Sequence, residues 1–346
     1  VTINMGITFE FVPYGSRLDP QPGTIVLDVG MKMVPGVIDH HQPGAEPECA
    51  ASLVVKHPGL VLDHIPTAEG LVKIITHRLP DFDALSSVFL ALKLLELSRL
   101  DACMEKIGAY ARLVDSASLP ANIDLAATPY SILRALFAGP RRAEAEINEA
   151  RVAEGLKLMR FLYAKAEEGY EILENRMLYA GVERYERAMR KVENDYFHYL
   201  DDLTRSERIL LNMPFSGEAG CRAVDGLVVR NPSSFLLKEW ARRDFGASSL
   251  GEGFSFLLTN FGDERYILGV DPEKGINLRG LGRRLNELEA RKRETAGRPF
   301  PLRWYEGNCP FFDYRIIDSP QDGSLLSHGE VVACLKEFSL AVGGQA

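Results

Sequence analysis

Three short apolar runs early in the chain each stop at an ionisable residue. TIVLDV (24–29) ends around Asp28 and Gly30, Val37-Ile38 ends at Asp39, His40 and His41, and LVKIIT (71–76) ends at His77. Runs this short, rich in Val and Ile and bounded by Gly or Pro, predict buried strands. Leu85, Val88, Phe89, Leu92 and Leu95 recur at helical spacing and predict an amphipathic helix over 84–97. A second helix is expected over 102–114, ending at Asp115. Strands alternating with helices indicate an α/β fold with a mainly parallel, doubly wound sheet. Functional groups in such sheets collect beyond the carboxyl ends of the strands. Asp28, Asp39, His40, His41 and His77 all fall there, so they are expected to share one site.

A chain of 346 residues predicts two or three compact units. Residues 1–140 form the first. Residues 141–205, dense in Ala, Glu, Arg, Leu and Lys, read as one or two long helices broken near Gly169 or Gly181, a solvated connector. Residues 206–346 read as a smaller α/β domain. Its strands are expected at RILLNMPF and AVDGLVVR, with a hairpin at GFSFLLTNF and RYILGVD. A helix capped by Ser233 or Ser234 runs through Arg243, and a basic helix spans 277–293. The tail carries a strand at FFDYRIID and a short helix after Ser327.

The net charge of −8 weighs against a duplex-binding surface, which needs clustered Lys and Arg to displace counterions. Five scattered cysteines, an odd number with no CxxC spacing, suggest reduced thiols and a cytoplasmic setting. No leader is expected, and no run approaches the roughly 20 apolar residues of a membrane helix.

ITHRLPDFDALSS (75–87) places His77, Asp81 and Asp83 at a strand-to-helix junction. Taken singly, each has an ordinary structural use: Asp81 or Asp83 as a helix cap, Asp28 as a turn residue, His77 at the surface. Three strand ends each bearing an ionisable cluster are harder to explain by turn chemistry. Mixed His/Asp ligation suits borderline-hard divalent ions such as Mn²⁺.

Asp39-His40-His41 after an apolar strand resembles the motif that names the DHH phosphoesterases. His77-x-x-x-Asp81-x-Asp83-Ala84-x-x-Ser87 is similar to that family's first motif, VLDVG around Asp28 to its second, and ARLVDSASL around Asp115 to its fourth. The order differs, because in the family the His-x-x-x-Asp-x-Asp motif comes first. Phe82 and Ser86 stand where the family has glycine, and Phe82 is expected to reshape the pocket. A GGGH motif is absent.

The resemblance implies a DHH-like domain holding two Mn²⁺ (or Mg²⁺) ions. His77 and Asp81 would bind one, Asp83, His40 and Asp115 the other, and Asp28 both. His41 would donate to the scissile phosphate, and Asp39 would fix a histidine tautomer. Arg279, Arg283 and Arg284 are the candidates to meet the substrate. The implied activity is metal-dependent, exopolyphosphatase-like hydrolysis of a small phosphorylated substrate: polyphosphate, pyrophosphate, or a short or cyclic nucleotide. Long nucleic acid is disfavoured, and the sequence leaves room for a homodimer. The altered glycines supply the alternative, a weak or inactive metal- or nucleotide-binding regulator.

Overall fold

The computed structural model describes residues 5–65, 70–138, 144–215, 220–262, 264–299 and 303–344. The chain divides into two compact units: residues 1–193 with 309–311, and residues 194–308 with 312–346.

The first unit begins with β1 (Met5–Val12), β2 (Thr24–Leu27), β3 (Met33–Val34) and β4 (Val37–Ile38). Helices α1 (Ala50–Lys56) and α2 (Gly59–Leu62) precede β5 (Gly70–His77). The sheet order is β1-β5-β2-β4-β3; only the two-residue β3 runs antiparallel to its neighbour. β2 is buried along its whole length between β5 and β4, which is why its sequence is continuously apolar.

Next come α3 (Phe82–Leu97), α4 (Ala102–Asp115), α5 (Pro129–Phe137) and α6 (Glu144–Glu167). α3 is buried over most of its surface and packs against α1, α4 and α6. At Gly155 of α6 the helices come so close that an added Cβ would stand 2.7 Å from Leu85 Cδ1. Here the expected connector differs from the structure. Leu158, Met159 and Leu162 of α6 are fully buried, and α6 packs on α3, α4 and α5 within the first unit. The helices break between Glu167 and Glu183, around Gly169 and Gly181, and the boundary between units falls inside α7 (Glu183–Arg205).

The second unit contains β6 (Glu207–Pro214), β7 (Cys221–Arg230), α8 (Leu237–Arg243), β8 (Phe256–Asn260), β9 (Tyr266–Val270), α9 (Leu281–Thr295), β10 (Ile316–Asp318) and α10 (His328–Gly343). Its sheet order is β10-β9-β8-β7-β6, with only β7 and β8 parallel. One core joins Leu211, Val228, Leu268, Leu285, Trp304 and Leu335; another joins Tyr199, Leu227, Leu237 and Leu257. The molecule is therefore mixed α/β, with a mainly parallel sheet in one unit and a mixed sheet in the other.

Several local expectations change. Ser233 and Ser234 do not cap α8; their N–H groups donate to Asp202, and Ser234 Oγ to Asp195, both from α7. α9 starts only at Leu281 because Gly280 precedes it at φ +91°. β10 is short because Asp313 and Tyr314 adopt positive φ. α10 runs for 16 residues behind a Ser327/Glu330 capping box. All five cysteines are free. Among the described residues, no helix is long and apolar enough to cross a membrane.

Candidate metal centre

Strand register assembles the site. β1 and β5 run parallel with Val12 opposite His77, β5 and β2 with Ile75 opposite Val26, and β2 and β4 with Leu27 opposite Ile38. Asp28, Asp39 and His77 therefore emerge at one level, and His40 and His41 follow directly. Asp28 sits at φ +59°, a region an aspartate visits at some cost, held there by its N–H donating to Ile38 O at 3.0 Å. Asp81 caps α3 by accepting from Ala84 N, Asp83 occupies the first turn of α3, and Asp115 ends α4.

Three overlapping groups of side chains could hold a metal ion: Asp28 with His40 and His41, Asp28 with His77 and Asp81, and His40 with Asp83 and Asp115. In each group the ligand atoms lie within 4.8 Å of one another. Asp28 faces two ways. Oδ1 is 3.2 Å from His40 Nε2, and Oδ2 is 3.2 Å from His77 Nε2. His40 Nε2 lies 3.8 Å from Asp83 Oδ2 and 3.6 Å from Asp115 Oδ2. Asp28, His40, His77 and Asp83 are buried, whereas the Asp81 side chain is half exposed, so the cluster opens on that side.

The electrostatics fit a cation. Burial pushes the Asp83 carboxyl up, and the Asp28 carboxylate beside it adds to this, to about 8. Burial works the same way on Asp28, but the His40 and His77 imidazoles outweigh it and hold Asp28 well below the usual range. Burial opposes charge on His77, yet Asp28 and Asp81 carry it up to about 9. Burial and the neighbouring His41 push His40 down. Asp28 Oδ1 is buried and makes no hydrogen bond among the described residues, an arrangement a cation would satisfy. In these three groups the donors are imidazole nitrogens and carboxylate oxygens.

Asp39 is fully engaged behind the histidines. Its Oδ1 accepts from His40 N at 2.7 Å and pairs with His41 Nδ1 at 2.6 Å, and its Oδ2 accepts from Met31 N at 2.6 Å. Burial works against charge on His41, but Asp39 prevails and raises it. The other His41 nitrogen, Nε2, meets the Tyr14 hydroxyl at 2.5 Å. Tyr14 also packs edge-on against His77. Sequence reading missed Tyr14, which reaches the site because it lies two residues past Val12, the partner of His77.

It also missed a clamp on the loop between His77 and Asp81. Leu79 there adopts φ +55°. Its N–H donates to Asn148 Oδ1 at 2.6 Å, and Arg151 Nη1 donates to Leu79 O at 2.8 Å and Pro80 O at 3.4 Å. Both clamping residues lie on α6, a segment whose composition reads only as solvated helix.

The ring of Phe82 packs against Tyr110 and Tyr130, and Ser86 Oγ donates to Phe82 O at 2.7 Å. Both substitutions for glycine are thus taken up in helix packing. Arg279, Arg283 and Arg284 belong to the second unit. Arg279 pairs with Asp313 and stacks on Tyr314, and Arg284 stacks on Phe338.

No family model matches the chain, and no curated protein matches its sequence.

Proposed function

We propose that the chain is a metal-dependent phosphohydrolase of DHH-like type with its motif order rearranged. The observation that supports this most is the position of Asp28, with one carboxylate oxygen turned toward each of two ligand sets. His77 and Asp81 would hold one Mn²⁺ or Mg²⁺ ion, His40, Asp83 and Asp115 a second, with Asp28 shared. When bound, such ions acidify a water for attack at neutral pH and neutralise phosphoryl charge.

The chain's own groups do the rest. Ala50 N and Ala51 N donate to the two oxygens of Asp83 and fix its direction. Asp39 orients His41 through Nδ1, and His41 Nε2 holds the Tyr14 hydroxyl, which would present the hydrogen-bond donor toward a phosphoryl oxygen. The substrate class is a phosphoanhydride or phosphodiester of a small molecule. The reading as an inactive regulator draws on Phe82 and Ser86, and the packing of both residues within the helices weakens it.

Phosphate release would be measured with and without Mn²⁺ on pyrophosphate, polyphosphates, linear and cyclic dinucleotides and bis-p-nitrophenyl phosphate. The expected result is Mn²⁺-dependent turnover lost in Asp28→Ala and His40→Ala together with bound metal. Metal bound without turnover on any of these would favour the regulator. A folded wild type that binds no metal would sink both.

A further inference from the structure

The clamp on the metal loop holds a cation that the clamp does not use up. Arg151 spends Nη1 on the carbonyls of Leu79 and Pro80. Phe137 stacks on the guanidinium, 4.8 Å from its centroid, and limits how it can turn. Among the described residues, Nε and Nη2 make no hydrogen bond, and no carboxylate comes within ion-pair reach. Burial, and then the positive charge of Arg134 on α5, push Arg151 down to about 10, with Asp81 acting weakly the other way. Two arginines of adjacent helices are thus close enough to repel, at the rim where Asp81 is exposed.

A guanidinium held part-buried beside another cation is costly in a protein that needs it only to tie two carbonyls; an amide could do that without charge. Its two remaining N–H edges form a planar fork that matches a phosphate in shape and sign.

We propose that Arg151, assisted by Arg134, binds a phosphate group next to the candidate metal centre, so that the first unit carries its own substrate-recognition cation. The role of this phosphate as part of a substrate rests on the phosphohydrolase reading; the anion site does not. It would give preference to substrates with a second phosphate beside the scissile one, over simple monoesters.

The test is calorimetric titration of the full chain with inorganic phosphate, with and without Mg²⁺, alongside a separate Mn²⁺ titration. Arg151→Gln is expected to weaken phosphate about tenfold or more. Arg134→Gln should weaken it less and leave Mn²⁺ affinity unchanged, and Arg151→Lys should recover part of the loss. The proposal is overturned if wild type takes up no phosphate, or if both Gln variants bind it like wild type. It is also overturned if Arg151→Gln loses phosphate and Mn²⁺ together while Arg134→Gln keeps both, since Arg151 would then be a loop clamp only. Phosphate bound by a wild type that binds no Mn²⁺ would sink the metal reading and leave the anion site standing.

Discussion

Each unit buries a cluster of charged side chains, and the two clusters are built on opposite plans. In the second unit Glu289 is fully buried, and both its oxygens are saturated. Oε1 accepts from Arg293 Nε at 2.7 Å and Leu325 N at 2.9 Å, and Oε2 from Ser324 Oγ at 2.5 Å and Trp304 Nε1 at 3.3 Å. Arg293 in turn grips Asp322 and the carbonyls of Pro299 and Gly323. Burial would raise Glu289, but these donors outweigh it and lower it. In the first unit Asp28 and Asp83 are as deeply buried, yet among the described residues Asp28 Oδ1 makes no hydrogen bond, and burial, with the Asp28 carboxylate beside it, drives Asp83 up despite its two backbone donors. Buried charge matched by the protein's own donors holds a fold together, whereas buried charge left unmatched asks for a cation from outside.

The comparison breaks if removing charge from the two clusters has the same effect. Glu289→Ala strands Arg293 and three other donors, and should cost about 3–5 kcal/mol in urea unfolding. Tryptophan fluorescence reads this directly, because Trp240 and Trp304 both lie in the second unit. A loss under about 1 kcal/mol would show that the saturated network is not structural. For the first cluster the external cation is the variable. Mn²⁺ at about 100 times its dissociation constant should add about 2.7 kcal/mol, followed by circular dichroism. Chelation should remove the gain, and Asp28→Ala should never show it. An undiminished gain in Asp28→Ala would place the ion elsewhere.

Some of this contrast was legible in the sequence. Asp28, Asp39, His40 and His77 follow uninterrupted apolar runs, so their strand-end position could be read without knowing the register. α3 and α4 were legible because one face of each repeats at helical spacing. Residues that reach a site from far along the chain leave no local mark. Tyr14 depends on the β1–β5 register, and β1 itself, MGITFEFV, went unread. Asn148 and Arg151 lie about 70 residues beyond the loop they hold. Glu289 and Arg293, spaced like any surface i,i+4 pair, become buried only because Ser324 and Trp304 close over them.

The framing of the open cluster gives a smaller effect. Asn148 is buried and accepts the Leu79 N–H. Asn148→Ala leaves that donor unsatisfied and should cost about 1–3 kcal/mol. It should also weaken Mn²⁺, because Leu79 at positive φ is then released between His77 and Asp81. Unchanged Mn²⁺ affinity in a destabilised Asn148→Ala would separate the clamp from the centre.

The smallest effect tests the rule of self-matched charge at the protein surface. Glu330 accepts from Ser327 N at 2.8 Å and pairs with Lys292, and these partners, Lys292 foremost, pull its carboxyl down to about 2. A carboxyl lowered in the folded state contributes stability above its unfolded value, and that stability is lost as pH falls toward the folded value. The window is therefore from about 4.5 down to about 2. The side chain is 45% exposed, so the pair with Lys292 is screened and the cap dominates. Ser327→Ala should cost about 1 kcal/mol at neutral pH. Glu330→Gln should cost less at neutral pH, and nothing measurable once the wild-type carboxyl is protonated. A Glu330→Gln deficit that persists through the acid window would mean that shape, and not charge, holds the start of α10. The distinction between matched and unmatched charge would then apply only where water is excluded.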